Sequence, residues 1–99
     1  MICQLRIYTI QEGKMDEWIK GWREGVVPLR RKHGFRVGGA WVARERNTFV
    51  WILAYDGPGD WKVRNDAYYA STERRTLDPD PARLIVRAEE MFLSPLSSE

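Results

Sequence analysis

Thr48-Phe49-Val50-Trp51-Ile52-Leu53-Ala54-Tyr55 is the stretch from which the architecture is read. Its β-branched and aromatic residues mark a strand. Phe49, Trp51, Leu53 and Tyr55 project one way and Val50, Ile52 and Ala54 the other, because successive strand side chains point to opposite faces. A strand that is apolar on both faces is covered on both, so this one belongs in the middle of its sheet.

Upstream, residues 44–47 make a polar turn after a second strand, Phe35–Ala43, with Gly38-Gly39 in its middle. Paired glycines inside a strand point to a bulge or to close approach by another group. Downstream, Asp56-Gly57-Pro58-Gly59 breaks the chain and Asp60 is placed to cap a helix over about Trp61–Ala70. Ser71 caps a further turn to about residue 76. Asp78-Pro79-Asp80-Pro81 excludes regular structure, and residues 84–93 form the last strand.

Toward the N-terminus, Cys3, Leu5 and Ile7 alternate with Gln4, Arg6 and Tyr8, giving a strand over Ile2–Ile10. After a Gln11-Glu12-Gly13 turn, a helix spans about 14–33 with the apolar stripe Met15, Ile19, Trp22, Val26 and Leu29. Asp16 and Glu17 suit its first turn and Arg30-Arg31-Lys32 its last, where cations complement the helix dipole. Gly34 follows as the terminating residue. Pro28 removes one backbone hydrogen bond near Glu24, so a kink is expected there.

The order β-α-β-β-α-β predicts an α+β, ferredoxin-like domain over residues 1–99, with both helices on one face of an antiparallel sheet. The other face is partly apolar and uncovered. A chain of 99 residues buries a modest share of its surface alone, so a second copy is expected on that face and the chain is read as a homodimer.

Composition narrows the function classes. Sixteen basic against 14 acidic residues give a net charge of +2, and no basic block is interleaved with stacking aromatics, so no nucleic-acid partner is expected. The single cysteine, Cys3, permits no internal disulfide and fits a reducing compartment. The first residues are already alternating and charged, unlike a signal peptide. No apolar run approaches the roughly 20 residues of a membrane span. A cytoplasmic location with no membrane partner is the expectation.

Several stretches resemble the NIPSNAP family. They are Gln4-Leu5-Arg6-Ile7-Tyr8-Thr9 followed by Gly13-Lys14-Met15-Asp16-Glu17-Trp18, and Trp22 with Pro28-Leu29 and Lys32-His33-Gly34-Phe35. Trp41-Val42, Trp51-Ile52-Leu53-Ala54-Tyr55, Tyr69-Ala70-Ser71 and Met91-Phe92-Leu93-Ser94-Pro95-Leu96 continue the likeness over nearly the whole chain. The resemblance implies a dimeric α/β barrel. That superfamily includes cofactor-independent antibiotic-type monooxygenases, lactone isomerases, haem-degrading oxygenases and chlorite dismutases, while the NIPSNAP branch carries no agreed chemistry.

Candidate site residues follow from residue chemistry. Arg6 and Tyr8 share a strand face with Gln4. If that face meets a partner sheet, Arg6 needs an acid or an anionic ligand; an inter-subunit network, for example of Arg6 or Arg87 with Glu89, is the structural alternative. His33, the only histidine, is a candidate proton carrier that equally suits a helix C-terminus. Without a second His or Cys nearby it gives no metal-site spacing. Trp22, Trp41 and Trp51 are expected to line a cavity between helices and sheet, with Tyr68 above it, or simply to pack. Cys3 reads as an inert thiol. No phosphate loop or serine elbow is present.

The leading functional expectation is a small-molecule enzyme without metal or cofactor, acting on a planar apolar substrate by proton abstraction or oxygen insertion. Tyr8, His33, Tyr55 and Tyr68 would handle protons and Arg6 would steady negative charge. The alternatives are a non-catalytic ligand-binding or protein-interaction module, and a haem-binding protein with His33 as ligand.

Overall fold

The computed structural model describes residues 1–96. Four strands, β1 (Ile2–Ile10), β2 (Phe35–Ala43), β3 (Thr48–Tyr55) and β4 (Ile85–Leu93), form one sheet in the order β2-β3-β1-β4. Each neighbouring pair is antiparallel. With the helices this is the ferredoxin-like fold. The doubly apolar β3 lies inside the sheet, between β2 and β1, where its two-sided pattern requires it to be.

The helical layer starts with α1 (Met15–Gly21), runs through a π-helical turn at Trp22–Val26 and continues as α2 (Val27–Lys32). Pro28 explains the interruption. It has no N–H for the carbonyl four residues back, and the chain responds by widening one turn, so that the Val27 N–H donates to the Trp22 carbonyl. The expected kink is thus a one-residue insertion. It turns the buried stripe by one position: Met15, Trp18 and Trp22 face the sheet before it, and Val26, Val27 and Arg30 after it. Leu29 is left half-buried.

After β3, α3 (Trp61–Ala70) begins with the Asp60 carboxylate accepting from the Lys62 N–H, and α4 (Thr72–Arg75) with the Ser71 hydroxyl accepting from the Arg74 N–H. Residues 77–84 cross α1 closely. A Cβ on Gly21 would lie 2.9 Å from Pro81 Cβ, and one on Gly25 would lie 3.1 Å from a Leu77 methyl. The pair, four apart, leaves the groove that this segment fills.

Between the layers the aromatics pack edge to face, with ring centroids 5.0 Å apart for Trp22–Phe49, 5.5 Å for Trp18–Phe49 and 5.6 Å for Trp22–Trp51. Such pairs add to the burial of large rings. The bulge in β2 changes which rings join them. Val37 pairs with Leu53 but Gly39 with Ile52, so every side chain after the extra residue switches face. Trp41 therefore stands opposite Val50 on the open side of the sheet, 56% exposed, and not under the helices as expected.

Candidate functional site

A cavity of about 70 Å³ lies between the helices and the sheet. Its floor is β1 and β3. Alternation along β1 puts Gln4, Arg6 and Tyr8 on the helix side, where all three are buried. Arg6 therefore faces the helices, not a partner sheet. Its guanidinium donates to Gln4 Oε1 at 2.7 Å and to the hydroxyls of Tyr8 at 3.0 Å and Tyr69 at 3.2 Å. Its one carboxylate neighbour among the described residues is Glu90, 3.7 Å away and partly in solvent. Of the two pairings named for Glu89, with Arg6 or with Arg87, the one with Arg87 is formed, within the chain on exposed β4 surface.

The roof brings a second buried cation. The π-helical turn aims Arg30 inward, and only 1% of it is exposed. It donates to Asn65 Oδ1 at 2.7 Å and to Tyr69 Oη at 3.2 Å, both neutral acceptors. Its guanidinium carbon sits 3.8 Å from the Tyr68 ring centre and 4.9 Å from that of Phe35, a favourable stack for a weakly hydrated cation. Arg74 completes the lining from α4 and pairs with Asp80 at 3.2 Å. Among the described residues Arg30 has no ion-pair partner.

The electrostatics follow from this placement. Burial disfavours the Arg30 charge most of all; Tyr69 offsets part of that, and the like charge of Arg6 adds to it, so its affinity for its proton is lowered. Burial also opposes the Arg6 charge, but the oxygens of Tyr8 and Tyr69 outweigh it and Arg6 holds its proton more tightly. Burial pushes the phenols of Tyr8 and Tyr68 above their ordinary value near 10, against the pull of the arginines. Both are neutral hydrogen-bonding groups at neutral pH. Donors are in surplus: Arg30 Nε, Arg74 Nε and the indole N–H groups of Trp18 and Trp51, all on lining residues, are buried without an acceptor among the described residues.

Of the residues singled out in the sequence, Arg6, Tyr8, Trp51 and Tyr68 meet at this cavity. Trp22 is used up against Phe49 and Trp51, and Trp41 is on the far face. Tyr55 is buried at the other end of β3, bonded to the Pro58 carbonyl and to Arg64. His33 caps α2 and packs edge-on against Tyr68, with ring centres 5.7 Å apart, outside the lining. That position gives no support to a haem-ligand role. Cys3 is half-buried on the open sheet face.

Sequence reasoning missed Arg30, Tyr69 and Arg74. Arg30 was assigned to the helix dipole, and its inward turn depends on the insertion before Pro28. The signal available was its spacing of four from Val26. Among the described residues no group of three or more His, Cys, Asp or Glu is placed to hold a metal, and no helix is long and apolar enough to cross a membrane.

The NIPSNAP family profile matches residues 3–99. No curated protein matches significantly. Among solved structures, an uncharacterized NIPSNAP domain protein from Burkholderia xenovorans superimposes with a TM-score of 0.84 at 22% identity, covering 99% of this chain and 97% of that one. A NIPSNAP family protein from Agrobacterium tumefaciens gives 0.83 at 24% identity, over 95% and 91%. A putative antibiotic biosynthesis monooxygenase from Nitrosomonas europaea gives 0.69 at 14% identity, over 98% and 100%. At these identities the likeness to solved structures is one of fold.

Proposed function

The chain belongs to the NIPSNAP family, and from that premise we propose that it is a homodimeric small-molecule-binding protein whose ligand enters the helix–sheet cavity of each subunit. The observation that carries this reading is the cavity itself: an opening among Trp18, Trp51 and Val26 on which the polar tips of Arg6, Tyr8 and Tyr68 converge. Its size sets what enters. An apolar cavity of about 150 Å³ holds a benzene ring, and this one is about 70 Å³. It receives a head group, and the body of the ligand stays at the mouth beside Tyr69, Ala82 and Ile85.

Binding is favoured over proton abstraction because, among the described residues, no His, Asp, Glu or Lys lines the cavity, and burial raises the Tyr8 and Tyr68 phenols away from the neutral range that suits a base. An oxygen-inserting role draws support from the fold shared with proteins called antibiotic biosynthesis monooxygenases. The guanidinium and hydroxyl donors suit a developing oxyanion, but the cavity offers that chemistry no proton acceptor.

The dimer rests on the open sheet face, where Leu5, Ile7, Val50 and Ile52 are half-buried and Trp41 and Met91 are exposed. Four strands about 4.8 Å apart and about 30 Å long offer roughly 570 Å² of projected area. That is of the order of one partner's share in a stable interface.

The test is a titration followed by tryptophan emission, since Trp18 and Trp51 line the cavity. A panel of phenols, aromatic acids and short aliphatic acids is expected to include compounds that shift the emission saturably below about millimolar concentration, a weak-ligand affinity. A panel in which nothing shifts emission or thermal midpoint would remove the reading.

A further inference from the structure

The cavity is unusual in what it lacks. Three guanidiniums, those of Arg6, Arg30 and Arg74, line it. Among the described residues two carboxylates answer them, Glu90 beside Arg6 and Asp80 beside Arg74, and both lie partly in solvent. One positive charge is left over, and it belongs to the most enclosed position, Arg30. A buried charge without a counter-charge is costly. A ligand of opposite sign would offset that cost.

Hydrogen bonding points the same way. Tyr69 Oη accepts from both Arg6 and Arg30, each at 3.2 Å. A phenol oxygen has two acceptor sites, so both are taken and its own proton is left to donate. Tyr8 Oη, which accepts from Arg6, also keeps its proton free. With Arg30 Nε, Arg74 Nε and the indole N–H groups of Trp18 and Trp51 lacking acceptors among the described residues, the lining is rich in donors and poor in acceptors. Neutral water brings both kinds of group and no charge; an anion brings acceptors alone and the missing charge.

We infer that the cavity is an anion site and that its ligand is a small organic monocarboxylate, the head held by Arg30 and Arg6 with Tyr69 donating, and the apolar body lying at the mouth. The single surplus charge fits a monoanion better than a phosphate dianion. The planar, two-oxygen head matches guanidinium donors. The volume admits a carboxylate but not a ring, and the lining includes the half-buried apolar side chains of Ala82 and Ile85. The inference rests on the proposal that the cavity binds a small molecule, and narrows its chemical class.

The experiment compares sodium benzoate, its uncharged isostere benzamide, and inorganic phosphate on the whole chain, by tryptophan emission and calorimetry at constant ionic strength. Benzoate is expected to bind at least about ten times more tightly than benzamide, a difference of about 1.4 kcal/mol, and phosphate more weakly than benzoate. Arg30→Met, close in length and uncharged, is expected to weaken benzoate about tenfold or more and benzamide by distinctly less, with circular dichroism and oligomeric mass as in the parent. Tyr69→Phe, which removes one hydroxyl from a half-exposed ring, gives an independent loss of a few-fold. Equal binding of benzoate and benzamide, or Arg30→Met binding benzoate as the parent does, overturns the anion inference while the small-molecule reading stands. Preference for phosphate overturns the carboxylate class. Absence of binding by all three, with the wider panel also silent, overturns both.

Discussion

Arg30 is where sequence, packing and function diverge most. A guanidinium that is 1% exposed, bonded to neutral acceptors only, is maintained against its own solvation. Replacing it by Met is therefore expected to leave the unliganded protein as stable or to raise its stability by about 1 kcal/mol, a few degrees in thermal midpoint. Loss of several kcal/mol, read by urea unfolding, would mean that Arg30 is a structural keystone. The tyrosines give a pH signature. Their folded values lie above the ordinary value near 10, so the folded state holds these protons longer than the unfolded chain. Their contribution is complete below pH 10 and falls as pH rises through the folded values. Stability measured from pH 8 upward should decline past pH 10, and less steeply in Tyr68→Phe. A profile as steep in Tyr68→Phe as in the parent would contradict this. Arg6 and Tyr8 were legible as a pair because the two-residue period of a strand fixes their shared face. Arg30 was not legible, because its face depends on a helical irregularity that periodicity cannot locate to one residue.

The elements show the same division. The strands Ile2–Ile10, Phe35–Ala43 and Thr48–Tyr55 stand where alternation places them, since a strand's side chains report its two faces directly. The Asp60 and Ser71 caps were equally plain, because a short polar side chain before a helix has a local task. What alternation could not give was the length of the β2 bulge, which sends Trp41 to the opposite face, and the form of the helix break. Pro28 carries a prediction here. Restoring an N–H with Pro28→Ala is expected to relax the Trp22–Val26 turn toward regular α-helix, rotate Arg30 off the cavity and weaken benzoate several-fold without unfolding the chain. Unchanged affinity would separate the π-helical turn from the site. Gly21 carries another. Alanine improves helix propensity by about 1 kcal/mol, but its Cβ would meet Pro81 Cβ at 2.9 Å. Overpacking of that kind costs about 1–3 kcal/mol, so Gly21→Ala should be neutral to destabilising on chemical unfolding. A gain of about 1 kcal/mol would show that residues 77–84 shift freely.

As a whole the molecule is a thin slab, 38 × 35 × 18 Å, a sheet with helices on one side only. Its other side carries the half-buried apolar residues of β1 and β3 that the proposed partner would cover. Solution mass is expected to be twice the 11.6 kDa of the chain. Trp41→Asp, at a side chain 56% exposed in the single subunit, should yield a folded monomer; a dimer that survives this change uses another surface. The fold was written in the pattern of faces, and the proposal of a second copy starts from the same pattern. The cavity was written only in part, because it is assembled from side chains far apart in sequence on β1, α2, α3 and α4. The most direct test of the site is a crystal structure of the protein grown with sodium benzoate at neutral pH. Carboxylate density between Arg6, Arg30 and Tyr69, with the ring at the mouth beside Ile85, is the expected result; a cavity closed by these side chains, or filled by water alone under saturating benzoate, would contradict it.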